Sequence, residues 1–277
     1  MSILQMFSYP FMQRALIAGV LVSLCAALLG VTLVLKRYSM IGDGLSHVSF
    51  GALAIAVALG MTPLYFSIPV VIVAAFLLLR VADNPRWNSD AAIAAMSASS
   101  LAIGILVISR TTGMTTDVDN YMFGSVLAMS KSDVALSVAL CAAVLVLYIL
   151  FYHKIFAITF EENFSRATGL NVNRYNTLIA VLTALTIVLG MRMMGAMLIS
   201  SLVIFPALTA MRLFKSFRAV VLCSGILSVL CFCVGLTCSY LVSTPVGATV
   251  VLVNLLVFLL SCFYYLMRVC LLWKVSV

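Results

Sequence analysis

Residues 15–37 read Ala15-Leu16-Ile17-Ala18-Gly19-Val20-Leu21-Val22-Ser23-Leu24-Cys25-Ala26-Ala27-Leu28-Leu29-Gly30-Val31-Thr32-Leu33-Val34-Leu35-Lys36-Arg37, and no charge falls between Arg14 and Lys36. At about 1.5 Å of rise per residue, a helix of this length reaches across the roughly 30 Å hydrocarbon layer of a bilayer. An apolar run closed by two basic residues is a spanning helix whose basic end marks the cytoplasmic face.

The rest of the chain repeats this pattern. Of 277 residues, 65% are hydrophobic and 9% charged, whereas a soluble domain carries about 25% charged residues to cover its surface. That balance excludes a soluble enzyme, a disordered tail and a nucleic-acid-binding domain. The net charge of +8 is not gathered into a basic cluster, so no nucleic-acid partner is expected, and membrane lipid is the solvent. Cys25, Cys141, Cys223, Cys231, Cys238 and Cys262 lie inside apolar runs and read as small hydrophobes. Met1 to Met12 holds no basic residue ahead of the first long apolar run, and that run is long enough to span, so no cleavable leader is expected.

The expected fold is all-α, a single polytopic permease-like domain over residues 1–277. Apolar runs at 11–35, 44–60, 62–81, 91–109, 133–153, 173–190, 194–213, 217–241 and 246–270 give nine spans. The separations at Gly60–Pro63 and Gly190–Gly195 are short, so eight is the alternative. A patch at Tyr121–Met129 is too short to cross and is expected at the interface or as a re-entrant segment. With the N-terminus outside, Lys36, Arg37, Arg80, Arg86, Lys154, Arg166, Arg174, Arg212, Lys215, Arg218, Arg268 and Lys274 fall inside. Only Arg14, Arg110, Lys131 and Arg192 fall outside, so the C-terminus is expected in the cytoplasm. The polar loops Arg110–Asn120 and His153–Asn176 are too short for an ATPase or a ligand-capturing fold. Other chains must supply those tasks if transport needs them.

Seven of the eight acidic residues sit in loops or at span ends. The exception is Asp43, in Ile41-Gly42-Asp43-Gly44-Leu45-Ser46-His47, which also holds one of the two histidines. A helix opening here places Asp43 and His47 four apart, on one face. A carboxylate within a span costs several kcal/mol, on the order of the insertion penalty, unless it meets water or a partner. One oxygen and one nitrogen donor make half a shell for a divalent cation such as zinc, manganese or ferrous iron. The plainer alternative is an Asp43 N-cap with His47 bonded to a backbone carbonyl, and spacing does not choose between them.

In the main cytoplasmic loop, Thr159-Phe160-Glu161-Glu162 fits a capping box and Gly169 a helix stop. Between them a short helix over 160–168 carries Phe160, Phe164 and Ala167 as one apolar stripe, suited to docking on a partner protein or lying on the membrane. Pro206 is expected to kink its span. Met191, Met193, Met194 and Met197 read as packing rather than as a soft-metal path. His-Glu-x-x-His, Gly-x-Ser-x-Gly and phosphate-loop motifs are absent from the chain.

Gly42-Asp43-Gly44-Leu45-Ser46-His47 resembles the Gly-Asp-x-x-Ser-His stretch of the permease subunits of bacterial ABC importers for zinc, manganese and iron. Further similar segments follow in order: Glu161–Leu170, Leu182–Val188, Gly195–Ile199, Phe205-Pro206-Ala207 and Thr244–Ala248. One departure is Phe50-Gly51-Ala52, where the family has Leu-Pro-Gly or similar after the His. The resemblance implies a homodimeric permease in the bacterial inner membrane, bound to two cytoplasmic ABC ATPase subunits and fed by an extracytoplasmic metal-binding protein. It implies that Asp43 and His47 contact the transported ion. It also implies that 160–169, with Glu161, Glu162, Phe164, Arg166 and Gly169, couples to the ATPase. The expected activity is import of zinc, or else manganese or iron, with no resident cofactor and no catalysis by this chain. The alternatives are a secondary transporter or channel needing no ATPase, an intramembrane metalloenzyme, and a structural scaffold.

Overall fold

The computed structural model describes residues 9–82, 89–111 and 131–275. Within them the chain forms eleven helices: α1 (Pro10–Leu35), α2 (Ser39–Ala58), α3 (Pro63–Ala82), α4 (Ser89–Arg110), α5 (Lys131–Leu150), α6 (Tyr152–Phe160), α7 (Glu162–Ala167), α8 (Val172–Met194), α9 (Ala196–Leu213), α10 (Phe217–Val242) and α11 (Val246–Val275). Nine of these are long and apolar enough to cross a membrane, α6 and α7 being the exceptions. The Tyr121–Met129 patch lies outside the described residues.

Helices α1, α2 and α8 form the buried centre, and α4, α5 and α11 turn most of their surface outward. Helix α1 packs against α5, α8, α9 and α10, while α2 is enclosed by α3, α4, α8 and α9. Lipid tails are as apolar as leucine, so close backbone approach must hold these helices together. A Cβ at Gly30 would run into the backbone carbonyl of Val203 on α9, and one at Gly51 would come within 2.7 Å of the Ser100 carbonyl on α4. Several polar side chains inside the bundle find backbone acceptors, which lipid cannot supply. The Ser228 hydroxyl donates to the Ser23 carbonyl across α10 and α1 at 2.9 Å, and the Thr186 hydroxyl to Leu182 in its own helix at 2.9 Å. The seven described cysteines are free thiols.

Several expected boundaries move. The second span starts at Ser39 rather than 44, with Tyr38 at the cap, so Asp43 sits in the helix and is not its N-cap. The fifth span ends at Leu150, and Phe151 turns the chain into α6. The capping box does not form. Thr159 lies inside α6 and its hydroxyl donates to the Ile155 carbonyl at 2.6 Å, an acceptor already in reach one turn back. The expected single helix over 160–168 is instead split at Glu161, whose extended backbone (φ −137°, ψ 73°) separates α6 from α7. Helix α9 runs through Pro206 without a break.

The remaining junctions follow local chemistry. Gly169, at φ +85°, ends α7. The Leu170 N–H donates to the Ser165 carbonyl and the Gly169 N–H to Arg166, the paired bonds of a Schellman stop. Gly195, at φ +86°, is the single residue between α8 and α9, and it is buried. Only glycine takes that conformation without strain, so the start of α9 is set by this residue.

Candidate functional site

Helix α2 carries Asp43 and His47 on one face. His47 Nε2 lies 3.7 Å from Asp43 Oδ2, beyond hydrogen-bonding distance, so the two groups are adjacent without satisfying each other. His47 Nδ1 is buried and has no hydrogen-bond partner. This counters the reading in which a backbone carbonyl satisfies the imidazole.

Helix α9 supplies the rest of the wall. The Ser200 hydroxyl lies 3.3 Å from Asp43 Oδ1, positioned to donate to it. The Ser46 hydroxyl donates to the Asp43 carbonyl at 2.7 Å and lies 3.3 Å from Ser200 Oγ. One carboxylate oxygen is thus oriented by α9 and the other faces the imidazole. Asp43, His47, Phe50, Leu101, Ala196 and Met197 line a partly open cavity of about 200 Å³. The Asp43 side chain is 42% exposed and His47 23%, so both can reach a solute there. Among the described residues no cluster of three or more His, Cys, Asp or Glu side chains is arranged to hold a metal. One chain therefore offers one carboxylate and one imidazole, half of a four-donor shell.

The second set of sequence-chosen residues lies elsewhere, at the C-terminal end of α1. Glu162 Oε2 lies 3.2 Å from Lys36 Nζ and Glu162 Oε1 3.3 Å from Arg166. Lys36 also donates to Asn176 Oδ1 at 2.6 Å. Phe164 is 67% exposed, and Phe160, expected on the same stripe, is 52% exposed while its ring meets Phe156 and Phe217. Gly169 borders a cleft of about 420 Å³ with Phe151, Leu170, Arg174, Tyr175 and Leu178. The sequence reading missed Ser200 and Lys36 as partners of these groups. No motif marks either, since each acts across more than a hundred residues of chain. At the opposite end of α8, Arg192 lies 3.7 Å from Asp133 on α5.

Nine apolar helices among the described residues, with an acid–imidazole pair on a partly open cavity, fit the membrane part of a transporter. Residues 8–265 match the ABC-3 family, described as the ABC 3 transport family, and the chain belongs to it. It is accordingly an ABC permease, a multi-pass membrane transport subunit and not an enzyme, and the secondary-transporter alternative is disfavoured. The chain is 30% identical over 255 residues to the manganese import system permease protein ScaB of Streptococcus gordonii, covering 92% of this chain and 91% of that one. It is 29% identical over 255 residues to the high-affinity zinc uptake system membrane protein ZnuB of Haemophilus influenzae, covering 92% and 98%. Among solved structures, PsaBC from Streptococcus pneumoniae in complex with Fab superposes with a TM-score of 0.84 at 29% identity, covering 94% of this chain and 95% of that one.

Proposed function

We propose that this chain is the permease of an ATP-driven importer of divalent transition metal, with zinc the first candidate and manganese or ferrous iron the others. The whole chain acts as one permease unit. Two copies meet so that Asp43 and His47 of each face a shared path, giving two oxygens and two nitrogens to the passing ion. The transported metal is the substrate, and no resident cofactor is needed.

The observation that carries this reading is the unpartnered imidazole beside a half-exposed carboxylate on a cavity in an otherwise apolar bundle. Here the two groups stand 3.7 Å apart with no hydrogen bond between them, and both side chains are partly exposed on the cavity. Zinc comes first because a mixed oxygen and nitrogen set suits a borderline cation, although manganese and ferrous iron accept the same donors. Support for the metal class comes from the named relatives, of which ScaB is a manganese permease and ZnuB a zinc one.

Energy comes from cytoplasmic ABC ATPase subunits docked on α7, and metal from an extracytoplasmic binding protein at the outer face. The chain lies in a bacterial inner membrane with its N-terminus outside and its C-terminus in the cytoplasm. That orientation puts Lys36, Glu162 and Asn176, joined by the Lys36 contacts, on the cytoplasmic side. It puts the Arg192–Asp133 pair on the other. Closure of the ATPases moves α7, and the permease copies rock between inward- and outward-open states. Binding in the path must stay weak enough for release.

The test is uptake in vesicles holding the permease, its ATPase and its binding protein, with zinc, manganese and iron supplied in turn. ATP-dependent uptake of at least one metal, lost in His47→Ala, is expected. Full uptake by the Asp43→Ala, His47→Ala double variant would sink the assignment.

A further inference from the structure

We propose that the Met197 thioether is a metal-facing donor of the Asp43–His47 cavity, selecting soft and borderline cations over calcium and magnesium. The inference rests on the reading of Asp43 and His47 above.

Four methionines lie close together in sequence, and the structure divides them. Met191, Met193 and Met194 are 0%, 1% and 2% exposed and belong to the core. Met197 is 49% exposed and shares the cavity wall with Asp43 and His47. Its neighbours Ala196, Leu198 and Ile199 are buried, so this part of α9 is enclosed except on the face that Met197 presents. Contact with lipid would also explain an exposed methionine, but a carboxylate and an imidazole line the same opening. Gly195 fixes where α9 begins, and hence where the residue two positions on must stand.

The chemistry favours a third donor of this kind. Calcium and magnesium take oxygen ligands, and neither gains from a thioether that displaces one of their waters. Thioether and imidazole favour softer ions. A neutral, weak donor adds discrimination without the charge that would hold an ion in a conduction path. Within one chain no third His, Cys, Asp or Glu joins Asp43 and His47 among the described residues, so the thioether adds to the donors that two copies supply.

The permease–ATPase complex in nanodiscs, loaded with one equivalent of zinc per site, tests this by X-ray absorption at the zinc edge. The expected result is a sulphur scatterer in the original chain that disappears in Met197→Leu, a swap that keeps side-chain volume, while nitrogen and oxygen scatterers remain. Calcium should then displace zinc at a concentration about tenfold lower, the lower end of what loss of a supporting group at a metal centre produces. A zinc environment of nitrogen and oxygen alone in the original chain overturns the proposal, as does sulphur that persists in Met197→Leu. Zinc binding unchanged in the Asp43→Ala, His47→Ala double variant overturns the parent reading instead.

Discussion

Lys36 Nζ bridges Glu162 Oε2 at 3.2 Å and Asn176 Oδ1 at 2.6 Å, so one ammonium ties the end of α1 to both α7 and the first turns of α8. The Lys36 side chain is only 7% exposed. The next residue, Arg37, stands at φ +63°, and Ser39 opens the helix that carries Asp43 and His47. Under the proposed function, a displacement of α7 would reach the base of the helix that carries Asp43 and His47 through this ion pair and the left-handed turn at Arg37.

Replacing Lys36 by methionine should keep the fold and lose the linkage. Removing one partner of a mostly buried hydrogen-bonded group costs about 1–3 kcal/mol, visible as a lowered melting temperature. The sharper readout is the ratio of metal taken up to ATP hydrolysed, which should fall while hydrolysis persists. The exchange Lys36→Glu with Glu162→Lys should restore much of the ratio, and an unchanged ratio in Lys36→Met would dismiss this route.

Phe164 makes the opposite prediction. It is 67% exposed, so Phe164→Asp should leave the unfolding free energy within about 0.5 kcal/mol of the original, as surface changes usually do. Co-purification of the ATPase should nevertheless be lost. Retention of a full complement of ATPase would show that α7 is not its seat.

Ser200→Ala removes the hydroxyl beside Asp43 Oδ1 without opening a large void. With a net hydrogen-bond worth of about 1 kcal/mol, the apparent KM for metal should rise roughly fivefold. Maximal uptake should change less, because the donors themselves remain.

Gly30→Ala and Gly51→Ala should both destabilise. The added methyl at Gly30 meets the Val203 carbonyl and the one at Gly51 the Ser100 carbonyl, and backbone cannot step aside as a side chain does. A loss of about 1–3 kcal/mol per site is expected from such overpacking, read by thermal unfolding in detergent. A melting temperature equal to the original would mean that these helices can part freely.

How much of this was legible in the sequence depended on the range of each interaction. The spans could be read because lipid demands long apolar runs, and the break at Gly190–Gly195 proved to be a buried one-residue turn between two separate helices. The facing of Asp43 and His47 followed from helical spacing alone. Thr159 misled because a hydroxyl three residues before a glutamate can cap a helix or bond one turn back, and only the backbone at Glu161 decides. Ser200 could not be read, since its partner stands 157 positions away. Met197 was grouped with three core methionines because composition does not say which face of a helix opens on a cavity.

The seam between α2 and α4 bears on how the protein is made. Helix α2 is the least apolar of the nine spans, and its most extensive contact is with α4, through Gly44, Gly51 and Gly104. The ribosome delivers α2 first, with α3 and residues 83–88 to be synthesised before its partner emerges. During that interval a weakly hydrophobic segment bearing a carboxylate has to be sheltered by the insertion machinery or a chaperone. Assembly of the α2–α4 seam is thus a question of timing during translation.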